Sequence, residues 1–228
     1  MEFDLPFRDA ALGTRRSARS RHRGKRAFDV FVAGVCLLLF APIMLLVAAL
    51  VRLTSPGPAL FRQTRLGQHG RPFVMYKFRT MFTGSRDDIH RTYVSHLLLD
   101  DRPQAAGKSG LYKLDEDPRV TRIGAILRRT SIDELPQLFN VIRGDMSLVG
   151  PRPMLPWERD MVPAAHQARF VVPAGITGLW QVSGRSRLTM KEALDLDVQY
   201  VQRRSFAVDL LILVKTAWIL VVWRGGAR

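Results

Sequence analysis

The chain has 228 residues, with 35 Lys and Arg against 20 Asp and Glu and a formal net charge of +15. A pI near 11.2 calls for an anionic partner, whether nucleic acid, acidic lipid or a phosphorylated substrate, and composition alone does not choose among them. A mean hydropathy of -0.01 excludes a chain that is mostly transmembrane. The single cysteine, Cys36, excludes an intrachain disulfide and a cysteine-built zinc site, and fits a reducing compartment.

Residues 1–24 carry Arg8, Arg15, Arg16, Arg19, Arg21 and Arg23 among small and polar residues with little periodicity, which predicts a disordered basic arm. The run "AFDVFVAGVCLLLFAPIMLLVAALV", residues 27–51, is almost wholly apolar and would form a helix of about 37 Å, long enough to cross a hydrocarbon core of about 30 Å. Lys25 and Arg26 precede it, and Arg52, Arg62 and Arg65 follow, so the positive-inside tendency puts both ends on the cytoplasmic face. "RLTSPGPALFRQTRLG" after the run is not a small-residue cleavage site, which argues against a removable signal. Pro42 lies inside the run, where it deletes the hydrogen bond to Leu38 at a cost of about 3 kcal/mol in a straight helix. A bend there leaves two arms too short to span, and predicts a re-entrant hairpin over 25–53 that dips into one leaflet, with a kinked spanning helix as the alternative.

"TSPGP", 54–58, predicts a turn; "ALFRQTRLG" and "PFVMYKFRTM" predict two short strands joined by a Gly-rich turn in which His69 is exposed. Residues 86–99 carry His90, Val94, Leu97 and Leu98 at helical spacing. The "GKS" at 107–109 is no phosphate-binding P-loop, because the glycine required five places earlier is Arg102. Helical periodicity returns in "RIGAILRR" and "LPQLFNVI", whereas 144–187, dense in Gly and Pro, predicts loop. "MKEALDLDVQYVQRR" predicts a helix ending in two arginines. In the apolar segment from 206 onward, Asp209 and Thr216 share one face near Lys215, and Trp218 and Trp223 suit a membrane boundary. These features predict an interfacial amphipathic helix within 206–228, with a second spanning segment or a buried core helix as the alternatives.

The stretch "RRTSIDELPQLFNVIRGDMSLVGPRP", 128–153, sets adjacent Asp133 and Glu134 among arginines. Ser131 and Glu134 have capping-box spacing, and a lone Ser-x-x-Glu ordinarily means only a helix start. Pro136 strains that reading, because it removes a backbone donor from the first turns. Arg128, Arg129, Arg143 and Arg152 suit bidentate phosphate recognition, and a surface built only for anions has no use for the acids. Acids among arginines make sense where a divalent metal meets a phosphate: the arginines keep the carboxylates ionised, magnesium takes one or two of them, and an ionised Asp is a nucleophile.

The block "SIDELPQLFNVIRGDMSLVGPRP", together with "LTSPGPALFRQ", "MYKFRTM", "DPRVTRIGAILRRTS" and "PAGITGLWQVSGR", resembles the bacterial sugar transferases that act on polyprenyl phosphate, over about Lys25 to Gly226. The resemblance implies a monotopic membrane enzyme of α/β class, mainly α with short strands, with a cytoplasmic catalytic domain over 54–205. It implies transfer of hexose-1-phosphate from a UDP-hexose to undecaprenyl phosphate at the cytoplasmic face of the bacterial inner membrane, as the first membrane step of exopolysaccharide synthesis. It makes Asp133 the nucleophile of a covalent phosphosugar intermediate and Glu134, with Asp133, the holder of Mg2+. Arg128 and Arg152 become phosphate ligands, and Lys77, Arg79, Arg143 and Arg185 are further phosphate candidates. For Lys77 and Arg79 the ordinary alternative is a solvated strand edge. Arg187 ranks with Arg185 as a nucleotide or membrane contact. Gly175, Gly178 and Gly184 are turn glycines or points of nucleotide approach. The family's proline-broken membrane helix matches Pro42, although its common Ser before that proline is Ala41 here. The C-terminal blocks look closest to the exopolysaccharide branch acting on galactose or glucose, in its short form without a long membrane domain. Two other classes remain as alternatives, a non-catalytic membrane scaffold of polysaccharide assembly and a basic nucleic-acid-binding protein. The acid pair and Pro42 count against the second, so no nucleic acid is expected as partner. The choice of hexose and the oligomeric state, a homo-oligomer included, stay open.

Overall fold

The computed structural model describes residues 15–85, 91–92, 94–96, 117–184 and 188–222. The GKS segment at 107–109, Arg185, Arg187 and Trp223 lie outside the described residues, as do His90, Leu97 and Leu98. Of the predicted 86–99 helix, residues 91, 92 and 94–96 are described and helical, with Val94 fully buried.

Helix α1 runs Arg15–Thr54. Residues 15–24, expected in the disordered arm, are therefore its first turns; Arg and Lys are good helix formers and extend a helix nucleated by the apolar run. Residues 1–14 of that arm lie outside the described residues. The helix is continuous through Pro42, so the expected division into two arms does not appear as a break in the helix. A missing backbone donor produces a kink more readily than an interruption when the flanking turns keep their own bonds. Each end of α1 is held by the same body, and its middle is bare. Asp29 and Ala33 are buried at one end and Val47 and Val51 at the other, whereas Leu38 is 81% exposed and Leu45 73%. Length and composition suffice for this helix to enter a membrane.

The body is mostly helical with short strands, as expected. β1 (Leu60–Leu66) and β2 (Pro72–Phe78) form the predicted antiparallel hairpin, with Phe61 opposite Lys77 and Arg62 opposite Tyr76; exposed His69 takes φ 58 in the turn. Then come α2 (Arg122–Thr130), a 3-10 turn at Ile132–Glu134 and α3 (Gln137–Arg143). The expectation of loop over 144–187 is corrected. β3 (Met146–Val149) pairs in parallel with β4 (Ala174–Thr177), joined by a crossover of two 3-10 helices, Pro156–Met161 and Ala164–Val171, and followed by α4 (Leu179–Ser183). Strands of four residues offer too few alternations to rise above the Gly and Pro signal. Glycine is required where β3 and β4 meet: a Cβ on Gly175 would collide with the backbone of Gly150 and Thr177, so this residue closes strand on strand rather than against a nucleotide.

α5 (Met190–Arg203) and α6 (Phe206–Val222) complete the body. α6 corrects the amphipathic reading in one respect. Its polar stripe turns inward: Asp209 accepts from Tyr200 Oη at 2.8 Å and lies 3.2 Å from Lys25 Nζ, and Thr216 Oγ1 bonds Thr177 Oγ1 at 2.8 Å. Fully buried Ile212 lies between them, while Val214, Trp218 and Val221 face outward. The network extends to α1 and β3 through Lys25 Nζ donating to Asp29 at 2.7 Å and Ser147 Oγ donating to Asp29 at 2.8 Å. α1 and α6 are thus fixed to the body by polar contacts and present apolar faces outward, the reverse of a soluble surface helix.

Candidate active site

Asp133 and Glu134 occupy the 3-10 turn between α2 and α3. Ser131 ends α2 at φ 59, ψ 15 and forms no side-chain cap, so the capping box its spacing suggests is not made. A cap residue accepts from the first turn out of an extended conformation, which left-handed Ser131 does not have. Pro136 precedes α3 at φ -61, where its missing donor costs nothing. The acid pair is therefore held in a tight link between two short helices rather than in a helix start.

Around this link lies a cleft of about 830 Å³, lined by Lys77 of β2 and Arg79 just after it, Asp117 and Arg119, Arg128 of α2, the acid pair, Arg152, and Arg52 at the end of α1. Asp133 is only 6% exposed. Lys77 Nζ donates to Glu134 Oε1 at 2.9 Å, and Arg152 Nη1 stands 3.8 Å from the same oxygen. Burial pulls the Arg128 guanidinium below its ordinary pKa, opposed by the Asp133 and then the Asp117 carboxylates, which places Arg128 electrostatically beside both acids. The Arg119 side chain bonds Asp117 at 2.8 Å and holds that carboxyl below the usual range against the effect of burial.

The turn carrying Arg152 is gripped at four successive carbonyls. Gly175 N donates to Pro151 O at 2.9 Å, Arg169 Nη2 to Arg152 O at 2.9 Å, Arg65 Nη1 to Pro153 O at 3.3 Å and Leu66 N to Met154 O at 2.8 Å. Arg169 is itself paired with Asp197 at 2.6 Å, both side chains only 2% exposed. Lys77, Arg128 and Arg152 thus converge on the acid pair. Two candidates do not. Arg143 is 62% exposed, bonds Tyr76 Oη at 3.0 Å and lines no part of the cleft, because α3 turns it away. Arg79 lines the cleft, yet its Nη2 donates to Val51 O at 3.1 Å and Ser55 O at 2.7 Å, tying the end of α1 to β2. Sequence reasoning missed Asp117, Arg119, Arg65 and Arg169 as parts of the site. Asp117 and Arg119, paired two residues apart, lie inside the block "DPRVTRIGAILRRTS", whereas Arg65 and Arg169 act on Pro153 O and Arg152 O, which are distant in the chain.

Among the described residues no cluster of three or more His, Cys, Asp or Glu could cage a metal. The donor set of Asp133 and Glu134, two hard carboxylates beside a phosphate-type arginine cluster, fits magnesium, which takes one or two carboxylates and completes its shell with water and substrate phosphates.

The description "Bacterial sugar transferase" belongs to a family whose pattern matches residues 20–223. The chain belongs to the bacterial sugar transferase family. This transferase is 41% identical over 202 residues to the exopolysaccharide production protein ExoY of Rhizobium meliloti, covering 89% of this chain and 87% of that one. It is 44% identical over 200 residues to the UDP-glucose:undecaprenyl-phosphate glucose-1-phosphate transferase of Caulobacter vibrioides, covering 84% of this chain and 67% of the relative. It is 39% identical over 209 residues to the undecaprenyl-phosphate galactose phosphotransferase of Salmonella typhimurium, where it spans 92% of this chain but 42% of the longer relative.

Proposed function

We propose that the transferase moves hexose-1-phosphate, with galactose or glucose as the hexose, from a UDP-hexose to undecaprenyl phosphate, as the first membrane step of exopolysaccharide synthesis. The observation that carries this reading is a buried Asp133 beside Arg128, with Glu134, Lys77 and Arg152 in the same cleft, at the foot of an apolar helix. The names of its relatives support both reactants.

In the first step a carboxylate oxygen of Asp133 attacks the sugar-linked phosphorus. The bond to the bridging diphosphate oxygen breaks, its electron pair leaves with UMP, and an acyl phosphate joins Asp133 to the sugar. In the second, a phosphate oxygen of undecaprenyl phosphate attacks the same phosphorus and the Asp133 carboxylate departs. Arg128 and Arg152 spread the charge that develops on the phosphoryl oxygens, from positions set before reaction by burial and by the gripped turn. Lys77 orients Glu134 through their 2.9 Å bond. Magnesium held by Glu134 and Asp133 would neutralise the diphosphate charge.

α1 serves as a re-entrant element bent at Pro42 into one leaflet, with both ends at the cytoplasmic face. The two anchored ends and bare middle support this placement. UMP release by detergent-solubilised protein supplied with UDP-galactose or UDP-glucose tests the function. Release should need a divalent cation and stop on chelation. The Asp133→Asn variant should lose turnover, by about 10³-fold or more, together with sugar label retained on the protein. Normal turnover in that variant removes Asp133 as nucleophile.

A further inference from the structure

The cleft lining is not confined to the charged groups around the acid pair. It also includes Pro58, Leu60, Phe61, Met81 and Phe82, interspersed with Gln63, Thr80, Thr83 and Ser85, and Arg52 belongs to the same lining. Phe61 is 44% exposed and Phe82 51%, large apolar surface open to a lipid chain. Arg52 sits in the last turn of α1, immediately after buried Val51 and at the limit of the apolar run. It is exposed, and among the described residues it makes no hydrogen bond or ion pair. Arg62, also exposed, is held over the Tyr76 ring at 5.9 Å.

This part of the cleft is tied mechanically to the chemistry. Arg79 binds the terminal carbonyls of α1 and lies two residues from Lys77, which holds Glu134. Phe61 is the direct cross-strand neighbour of Lys77, and such neighbours on one face have Cβ atoms about 5 Å apart. A ligand resting on Phe61 is therefore within reach of the acid pair, and a ligand arriving from the membrane meets Arg52 first.

We infer that this part of the cleft is the entry port of the acceptor: Arg52 receives the phosphate of a single-chain lipid phosphate as it leaves the bilayer surface, and Phe61 and Phe82 flank the first part of its chain. The inference rests on the transfer reaction proposed above and adds where the acceptor enters. Charge complementarity and continuity with the exposed apolar face of α1 select this occupant: Arg52 closes the apolar run and lines the cleft, and a bulk phospholipid would not need a port leading to Asp133.

The test is a steady-state analysis with undecaprenyl phosphate and a short-chain, water-soluble prenyl phosphate as alternative acceptors. Arg52→Gln should raise KM for both acceptors at least fivefold and Arg52→Glu more, with Arg52→Lys largely restoring it, while KM for the UDP-hexose moves less than twofold. Phe61→Ser with Phe82→Ser should raise KM for the long-chain acceptor only. A rise in donor KM instead assigns this part of the cleft to the nucleotide and overturns the port. Weaker binding of Arg52→Gln to anionic vesicles with unchanged acceptor KM makes Arg52 a bulk-lipid anchor, and overturns it equally. Failure of the wild-type protein to release UMP from any UDP-hexose defeats the reaction itself, which these variants do not address.

Discussion

Two copies of one four-residue pattern show how much a residue's role depends on its surroundings. Thr189-x-x-Glu192 forms a full capping box, Thr189 Oγ1 accepting from Glu192 N at 3.2 Å and Thr189 N donating to Glu192 Oε2 at 2.7 Å. Ser131-x-x-Glu134 forms none and instead frees Glu134 for Lys77 and Arg152. Pro136 was the visible warning; the left-handed backbone of Ser131 was not visible. At the same scale the Arg169–Asp197 pair is a positioning device, acting through Arg152 O. Arg169→Gln should lower kcat/KM for the donor by about 100-fold, the loss that a 1 Å misplacement brings. Replacing both charges, Arg169→Met with Asp197→Leu, should restore thermal stability, since a buried pair is often replaceable by apolar residues, without restoring activity. Recovery of activity in the double variant would reduce the pair to packing.

Among the elements, α6 carries the same lesson over seventeen residues. Its polar stripe was legible as Asp209 and Thr216 seven positions apart, but the stripe alone does not say whether water or protein satisfies it. Tyr200, Lys25 and Thr177 do so here, which leaves Trp218 and Val221 exposed on the outward face. Asp209→Ala should lower stability by about 1–3 kcal/mol, read as a fall in unfolding temperature in detergent, because Tyr200 and Lys25 lose a buried acceptor. Trp218→Ala should leave that temperature unchanged and weaken bilayer retention. For α1, cysteines placed at the exposed positions Arg23 and Arg71 should both be labelled by an impermeant reagent from the cytoplasmic side in oriented vesicles. Labelling from opposite sides would make α1 a spanning helix and remove the re-entrant reading.

The whole molecule joins a strongly basic chain to two outward-facing apolar helices, and its anchoring follows from that division. Basic residues near an anionic leaflet contribute roughly 1 kcal/mol each and are screened by salt, whereas the buried apolar surface of α1 is not. Deleting residues 1–22 should therefore leave most of the protein on membranes washed at high salt; complete release would place the anchor in the basic segment. Arg52 is both the last cation of α1 and part of the cleft lining, so the apolar helix and the cleft meet at one residue.

The sequence by itself determined the long apolar helix, the β1–β2 hairpin, α2, α3 and α5, and the Asp133–Glu134 pair among arginines, because each of these is written in contiguous residues or in a regular period. Only the tertiary structure decided that β3 and β4 pair in parallel across a crossover, that α6 turns its polar stripe inward, that Arg143 leaves the site while Asp117, Arg119 and Arg169 enter or support it, and that Arg79 clamps α1. The physical reason lies mainly in partners that are distant in the chain. Buried polar groups must be paired, Arg79 meets Ser55, Arg169 meets Arg152 O and Lys25 meets Ser147 across separations of 24, 17 and 122 residues, and only the closed fold brings such residues within hydrogen-bonding distance.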